Sequence, residues 1–182
     1  MISSERSQNV IVASVIILSV VCSLFFANNM QYYNGSFTLA SRMEVSLEST
    51  VIQDLDPTNE SIYPRLTFTL NFRTNSPVEG NVRLIFLEAV IWLNDDYLSL
   101  STITRYLSGD ENQLLTPDYN KNHTLSRIVN SNTDRSKIID ANNTDSWHWF
   151  VRFRYNFITF DNPRSTTWRI LYYNWTGSTT VL

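Results

Sequence analysis

Arg152, Arg154 and Arg169 are the side chains in this sequence best suited to hold a ligand. Guanidinium groups at every second position of a strand share one face, where they can grip carboxylate or phosphate and stack on aromatic rings. If Phe160 pairs with Ser165 across the turn Asp161-Asn162-Pro163-Arg164, then Phe157 faces Trp168, Tyr155 faces Ile170 and Phe153 faces Tyr172. That register puts Arg152, Arg154 and Arg169 on the outer face of a hairpin, with Tyr173 and Trp175 beside them. Such a face fits an anionic lipid headgroup, a glycan or an acidic partner. The same residues also fit a sheet face that is merely kept soluble.

Other chemistry is sparse. The two histidines, His123 and His148, belong to no ligand or triad spacing, and His148 shares the parity of Arg152 and Arg154. No Gly-rich phosphate loop occurs. Asp54, Asp56, Asn59 and Glu60 form an oxygen-rich stretch of the kind hard cations use, but its spacing is not that of an EF-hand and a solvated turn explains it as well. These readings predict no catalytic residue, no metal and no cofactor.

Five Asn-X-Ser/Thr sequons begin at Asn34, Asn59, Asn122, Asn142 and Asn174. With 19 Asn and 39 Ser plus Thr, chance alone supplies about four. Their placement near expected turns and strand ends is compatible with glycans, provided that stretch of chain enters the secretory lumen.

The element that sets the topology is Val10 to Ala27, eighteen residues without charge, Gly or Pro. As a helix it is roughly 27 Å long, enough for a thin bilayer. The obvious signal-peptide cut after Ala27 would put Phe25 where a small residue is wanted, so an uncleaved anchor is expected. A lipoprotein anchor fails because Val21 precedes the single cysteine, Cys22. A pilin shares the plan of apolar helix and β-domain, but Arg6-Ser7 replaces its basic leader ending in Gly. Arg6 and the amino terminus precede the span and no charge follows until Arg42, which predicts a cytoplasmic amino end and a lumenal or extracellular domain.

Beyond the span the pattern is β. Residues 37 to 51 alternate, with Phe37, Leu39, Met43, Val45, Leu47 and Val51 on one parity; Leu66 to Arg73 alternate again. Val82 to Leu93 is apolar on both parities, as in a central strand. Residues 97 to 107 and 124 to 129 predict shorter strands, and the Asn-, Asp-, Ser- and Thr-rich stretch 130–146 is the one segment expected to be disordered. The expected architecture is mainly β: one transmembrane helix, then an antiparallel sandwich of about seven strands. Its divisions are a tail over 1–9, a signal-anchor over 10–27, a linker over 28–35 and the sandwich over 36–182. A net charge of −3 without a basic block predicts no nucleic-acid partner.

The stretch Leu66 to Leu98, LTFTLNFRTNSPVEGNVRLIFLEAVIWLNDDYL, resembles the core of the LEA2/WHy-type membrane-anchored β-sandwich: an alternating strand, an Asn-Pro-like break, then a strand closed by a short turn. The family's Asn-Pro-Asn is replaced here by Thr74-Asn75-Ser76-Pro77. The resemblance implies a seven-stranded sandwich behind one membrane helix, with a groove for lipid or partner and no catalytic residues. The expected function is therefore non-enzymatic: a single-pass protein whose outer domain binds lipid or a protein. The alternatives are an accessory subunit of a membrane assembly, with Ala13, Ser14, Ser19 and Ser23 allowing close helix contacts, and a pilin-like filament subunit.

Overall fold

The computed structural model describes residues 2–98, 102–109, 114–159, 166–176 and 179–182. Among the described residues an apolar helix, α1 (Ile2–Ser41), precedes nine strands and one further helix. The strands are β1 (Met43–Gln53), β2 (Arg65–Thr74), β3 (Val82–Leu93), β4 (Asp96–Tyr97), β5 (Ile103–Tyr106), β6 (Asn120–Ile128), β7 (His148–Thr159), β8 (Thr166–Thr176) and β9 (Thr180–Val181), with α2 (Asn132–Thr144) between β6 and β7. One sheet runs β6-β2-β1-β9; the other runs β4-β3-β7-β8, with β5 also on β3. Every pairing is antiparallel except β1 with β9. The expected sandwich is present, with nine strands rather than about seven, because 97–107 divides into β4 and β5 and the carboxyl end adds β9.

Aromatic side chains lock the two sheets together. Phe68 of β2 meets Trp149 and Phe153 of β7 edge-on at 5.9 and 6.0 Å, and Phe72 meets Tyr155 at 5.5 Å. All five are buried. Edge-to-face rings contribute about 1 kcal/mol per pair beyond their burial.

Four expectations change. The linker over 28–35 is helix, and so is the start of the expected first strand: α1 continues to Ser41. Ser36, Leu39 and Ala40 recur at helical spacing and all are buried, whereas Phe37 is exposed. Second, the parity of β1 flips after a bulge between Leu47 and Ser49, so that Thr50 and Ile52 face the core and Val51 does not. Third, the polar stretch 130–146 holds α2. Ser131 caps it by accepting a hydrogen bond from the Asp134 amide (3.2 Å), and Arg135, Ile138 and Ala141 form its buried side.

The fourth concerns the last hairpin. Observed partners are Phe157 with Thr167, Tyr155 with Arg169, Phe153 with Leu171 and Val151 with Tyr173, one residue away from the expected register. A one-residue slip exchanges every face of a strand. The turn proposed at 161–164 lies outside the described residues.

Candidate functional site

The register of β8 decides which predicted site residues meet. Arg152 and Arg154 lie on the outer face of their sheet, while Arg169, Tyr173 and Trp175 lie on the parity of the core residues of β7. The predicted common face is therefore two faces. Arg154 is bound to the Glu88 carboxylate across β3 and β7 at 2.7 Å. Tyr173 donates from its hydroxyl to the Val45 carbonyl on the opposite sheet, and burial holds its pKa above the usual phenol value, with Tyr155 adding to the rise. Trp175 packs half-buried against the core. Only Arg169 remains exposed at an end of the sandwich.

That end is where α1 docks. Gly35 and Ser36 of the helix press against residues 79–81, and the Ser36 hydroxyl accepts from the Asn81 amide at 2.8 Å. Beside this contact a cleft of about 410 Å³ opens between helix and sandwich. Tyr33, Phe37 and Ala40 form its helical wall, Phe157 and Thr159 its β7 wall, and Arg169 is the one cation lining it among the described residues. Phe37 is 71% exposed there, an unusual cost for a ring unless something covers it. The cleft thus offers aromatic walls with a guanidinium at the rim, the chemistry of an anionic amphiphile site. The burial of Ser36 and the exposure of Phe37 follow from helix, so a strand reading of 37–43 hid this cleft. A broader, more polar groove of about 800 Å³ lies between Asn28, Tyr32 and Gly35 of α1 and Val78 and Glu79.

The outer face of the β7 sheet carries a second feature. Tyr97, Trp92, Phe150 and Tyr172 form a row across β4, β3, β7 and β8, with successive ring centroids 5.3, 5.1 and 6.0 Å apart. His148 binds Asn174 Oδ1 at 2.6 Å beside that row. His123 lies in the other sheet, inside the sandwich, where it meets the Tyr119 hydroxyl at 2.8 Å and the edge of Phe72. Among the described residues no cluster of His, Cys, Asp or Glu is arranged to hold a metal.

In the oxygen-rich stretch after β1 the Asp56 carboxylate closes a turn on itself. Asp56 Oδ1 accepts from the Thr58 amide (2.8 Å), the Thr58 hydroxyl (2.7 Å) and the Asn59 amide (3.2 Å). These bonds, the Thr58 hydroxyl first, hold the Asp56 carboxyl below its ordinary pKa of 3.8. A carboxylate with a lowered folded pKa stabilises above its unfolded pKa, and the gain is lost as pH falls through the folded value. Asp56→Asn keeps the accepting oxygen but not the titration, so its thermal midpoint is expected to fall less than wild type's between pH 4 and pH 2. Parallel acid limbs in the two proteins would remove Asp56 from the account.

All five sequon asparagines, Asn34, Asn59, Asn122, Asn142 and Asn174, are exposed. They differ in surroundings: Asn34 lies in α1, Asn59 in the turn, Asn142 in the last turn of α2, and Asn122 and Asn174 on strands. Of the five hydroxyl partners, Ser36 alone is buried, at 1% exposure.

Neither a protein-family model nor a curated protein matches the chain. Among solved structures it is similar to a structural-genomics target designated SoR45, with 10% identity and a TM-score of 0.46 over 76% of this chain and 87% of that one. It is also similar to a protein from Archaeoglobus fulgidus, with 11% identity and a TM-score of 0.40 over 77% and 97% of the two chains.

Proposed function

We propose that this chain is a non-enzymatic, single-pass membrane protein whose β-sandwich, on the lumenal or extracellular side, holds an anionic lipid headgroup in the cleft beside its anchor. The observation that carries the reading is the cleft itself: aromatic walls and the Arg169 guanidinium, built jointly by the sandwich and by the helix that is long and apolar enough to span. Counting from Ala27 at 1.5 Å per residue, Tyr33 stands roughly 9 Å and Phe37 roughly 15 Å beyond the apolar run. The headgroup layer is about 5 to 8 Å deep on each side. The lower rim of the cleft then stands just outside the headgroup layer, within reach of a headgroup that projects from it, and its mouth opens farther out. The sandwich behind an apolar helix also supports the resemblance to the LEA2/WHy-type domain. Arg6, which precedes the span with no basic residue after it until Arg42, favours a cytoplasmic side for that end of the helix.

The test is native mass spectrometry of the full chain in mild detergent, titrated with short-chain phosphatidylserine or phosphatidylcholine. Wild type is expected to retain the anionic lipid preferentially. Arg169→Ala is expected to lose about fivefold of that preference, since one basic group near such a surface contributes about 1 kcal/mol. Equal retention of both lipids, or no effect of Arg169→Ala, rejects the site.

One observation favours the second reading, an accessory subunit. β8 is an eleven-residue edge strand, open to pairing with a strand of another protein. Recovery of the chain in mild detergent at a mass far above 21.2 kDa would support it.

A further inference from the structure

The aromatic row on the outer face of the β7 sheet is exposed without being part of the cleft. Tyr172 is 62% and Tyr97 is 42% accessible. Trp92 and Phe150 between them are half-buried, so the row is a partly exposed apolar strip, a liability in a soluble domain unless something covers it. The sequence places a covering group on the same face. Asn174 is the direct cross-strand partner of Phe150, Tyr172 precedes it by two residues, and Thr176, the hydroxyl residue of its sequon, follows by two. Residues two apart on a strand share a face about 7 Å apart. Asn174 and Thr176 are both exposed. The Asn174 carbonyl oxygen is engaged by His148 at 2.6 Å, which fixes the side chain over the row and leaves the amide nitrogen to carry a substituent.

We infer that Asn174 carries an N-linked glycan whose first sugars lie over Phe150 and Tyr172 and cover the aromatic row. In the transfer, the Asn174 amide nitrogen forms a bond to the anomeric carbon of a lipid-pyrophosphate-linked oligosaccharide. The lipid pyrophosphate leaves and the amide gives up one proton. A pyranose presents a face of C–H groups, and such a face packs on an aromatic ring through dispersion and weak C–H contacts. Phe150 and Tyr172 are nearly parallel, 22° apart with centroids at 6.0 Å, so together they offer a platform broader than one ring. The sugar's hydroxyls then replace the rings as the surface that water meets.

Position also permits it. Arg169 lies beside α1, and Asn174 is five residues farther along β8, roughly 17 Å away from the helix end of the sandwich. Asn34 has the opposite surroundings. It sits in the helix at the cleft, and its Ser36 is buried in bonds to Tyr32 and Asn81. The structure therefore ranks these two sequons far apart.

The inference rests on the proposed lumenal or extracellular orientation, and the other sequons separate the two ideas. The full chain is expressed in a cell that glycosylates secretory proteins, singly altered as Asn59→Gln, Asn122→Gln, Asn142→Gln, Asn174→Gln or Thr176→Ala, and treated with peptide N-glycosidase. Asn174→Gln and Thr176→Ala are each expected to lose one glycosidase-sensitive mass step, and both folded variants to gain fluorescence from an apolar dye. Thr176→Ala keeps the bond between Asn174 and His148, so it retains the test if Asn174→Gln folds poorly. Asn142→Gln, which removes a site on α2, is expected to leave dye binding unchanged. Glycans at Asn59, Asn122 or Asn142 with none at Asn174 overturn the inference and leave the orientation standing. A glycan at Asn174 whose loss leaves dye binding unchanged overturns the covering role. No glycan at any site overturns the orientation and the inference together.

Discussion

Gly80→Ala is expected to lower the thermal midpoint of the full chain by roughly 6–12 °C, from a loss on the order of 3 kcal/mol. A methyl group on Gly80 would stand 2.4 Å from the Ser36 Cα, 2.6 Å from its nitrogen and 2.8 Å from its hydroxyl oxygen. The two nearest are backbone atoms of a helix, so turning the Ser36 side chain cannot relieve the contact. Across the same junction a methyl on Gly35 would stand 2.1 Å from the Glu79 carbonyl oxygen. The two glycines therefore let helix and loop approach closely enough for Ser36 to hold the Asn81 amide. Moving either partner exposes Leu39 and Ala40, which are buried against the sandwich, and opens the wall of the cleft. Limited proteolysis is the second readout. Cleavage within residues 28–42 is expected to accelerate in Gly80→Ala, because that segment is held by this contact. An unchanged midpoint together with unchanged cleavage would mean that helix and sandwich are joined only through the chain.

This junction is also where the sequence was hardest to read. Residues 37–43 satisfy two periods at once. Leu39 and Met43 fit an alternating strand, while Ser36, Leu39, Ala40 and Met43 fit a helix. The helix wins because α1 is already nucleated by the apolar run and extending it fixes one residue per hydrogen bond. The run Val82 to Leu93, apolar on both parities, admitted a helix as well. Its β-branched and aromatic content pointed to strand, and it is β3 with those bounds, covered by the core on one side and by aromatic neighbours on the other. The arginine face failed for a narrower reason. Its geometry hung on one register, and alternating strands look equally good when slid by a residue, since Leu171, Tyr173 and Trp175 can line a core as readily as Ile170 and Tyr172. The cleft was not legible at all. Tyr33 and Phe37 come from the helix, Phe157 from β7 and Arg169 from β8, and nothing local announces that they converge. Helix α2 was hidden because its anchoring residue is an arginine rather than a hydrophobe.

That arginine carries the other large effect: Arg135→Ala is expected to cost about 3 kcal/mol. Arg135 is only 7% exposed, and its guanidinium reaches from α2 across to the turn that follows β1. Its Nε donates to the Ile62 carbonyl at 3.2 Å, and one terminal nitrogen donates to the carbonyls of Asp56 at 2.5 Å and Asn59 at 3.0 Å. Hydrogen bonds from a charged donor are worth about 1.5–3 kcal/mol each in place, and removing the donor leaves three carbonyls to find water in a partly buried site. Water entering the space would recover part of that loss, which keeps the expected cost near that of one or two such bonds. Arg135→Lys is expected to recover little, since an ammonium group is a compact charge and cannot reproduce the planar spread of donors. The charge alone is therefore not the cause, and Lys against Ala is the decisive comparison. Equilibrium urea unfolding measures it: midpoints lowered to a similar degree in both variants support the fork geometry, whereas full rescue by lysine would reduce the interaction to electrostatics with Asp56. The same experiment reports on the candidate cation stretch. The carbonyls of Asp56, Asn59 and Ile62 that a metal would need already face a guanidinium. If calcium restored the midpoint of Arg135→Ala but left wild type unchanged, the turn would be shown to have exchanged a metal's role for an arginine's.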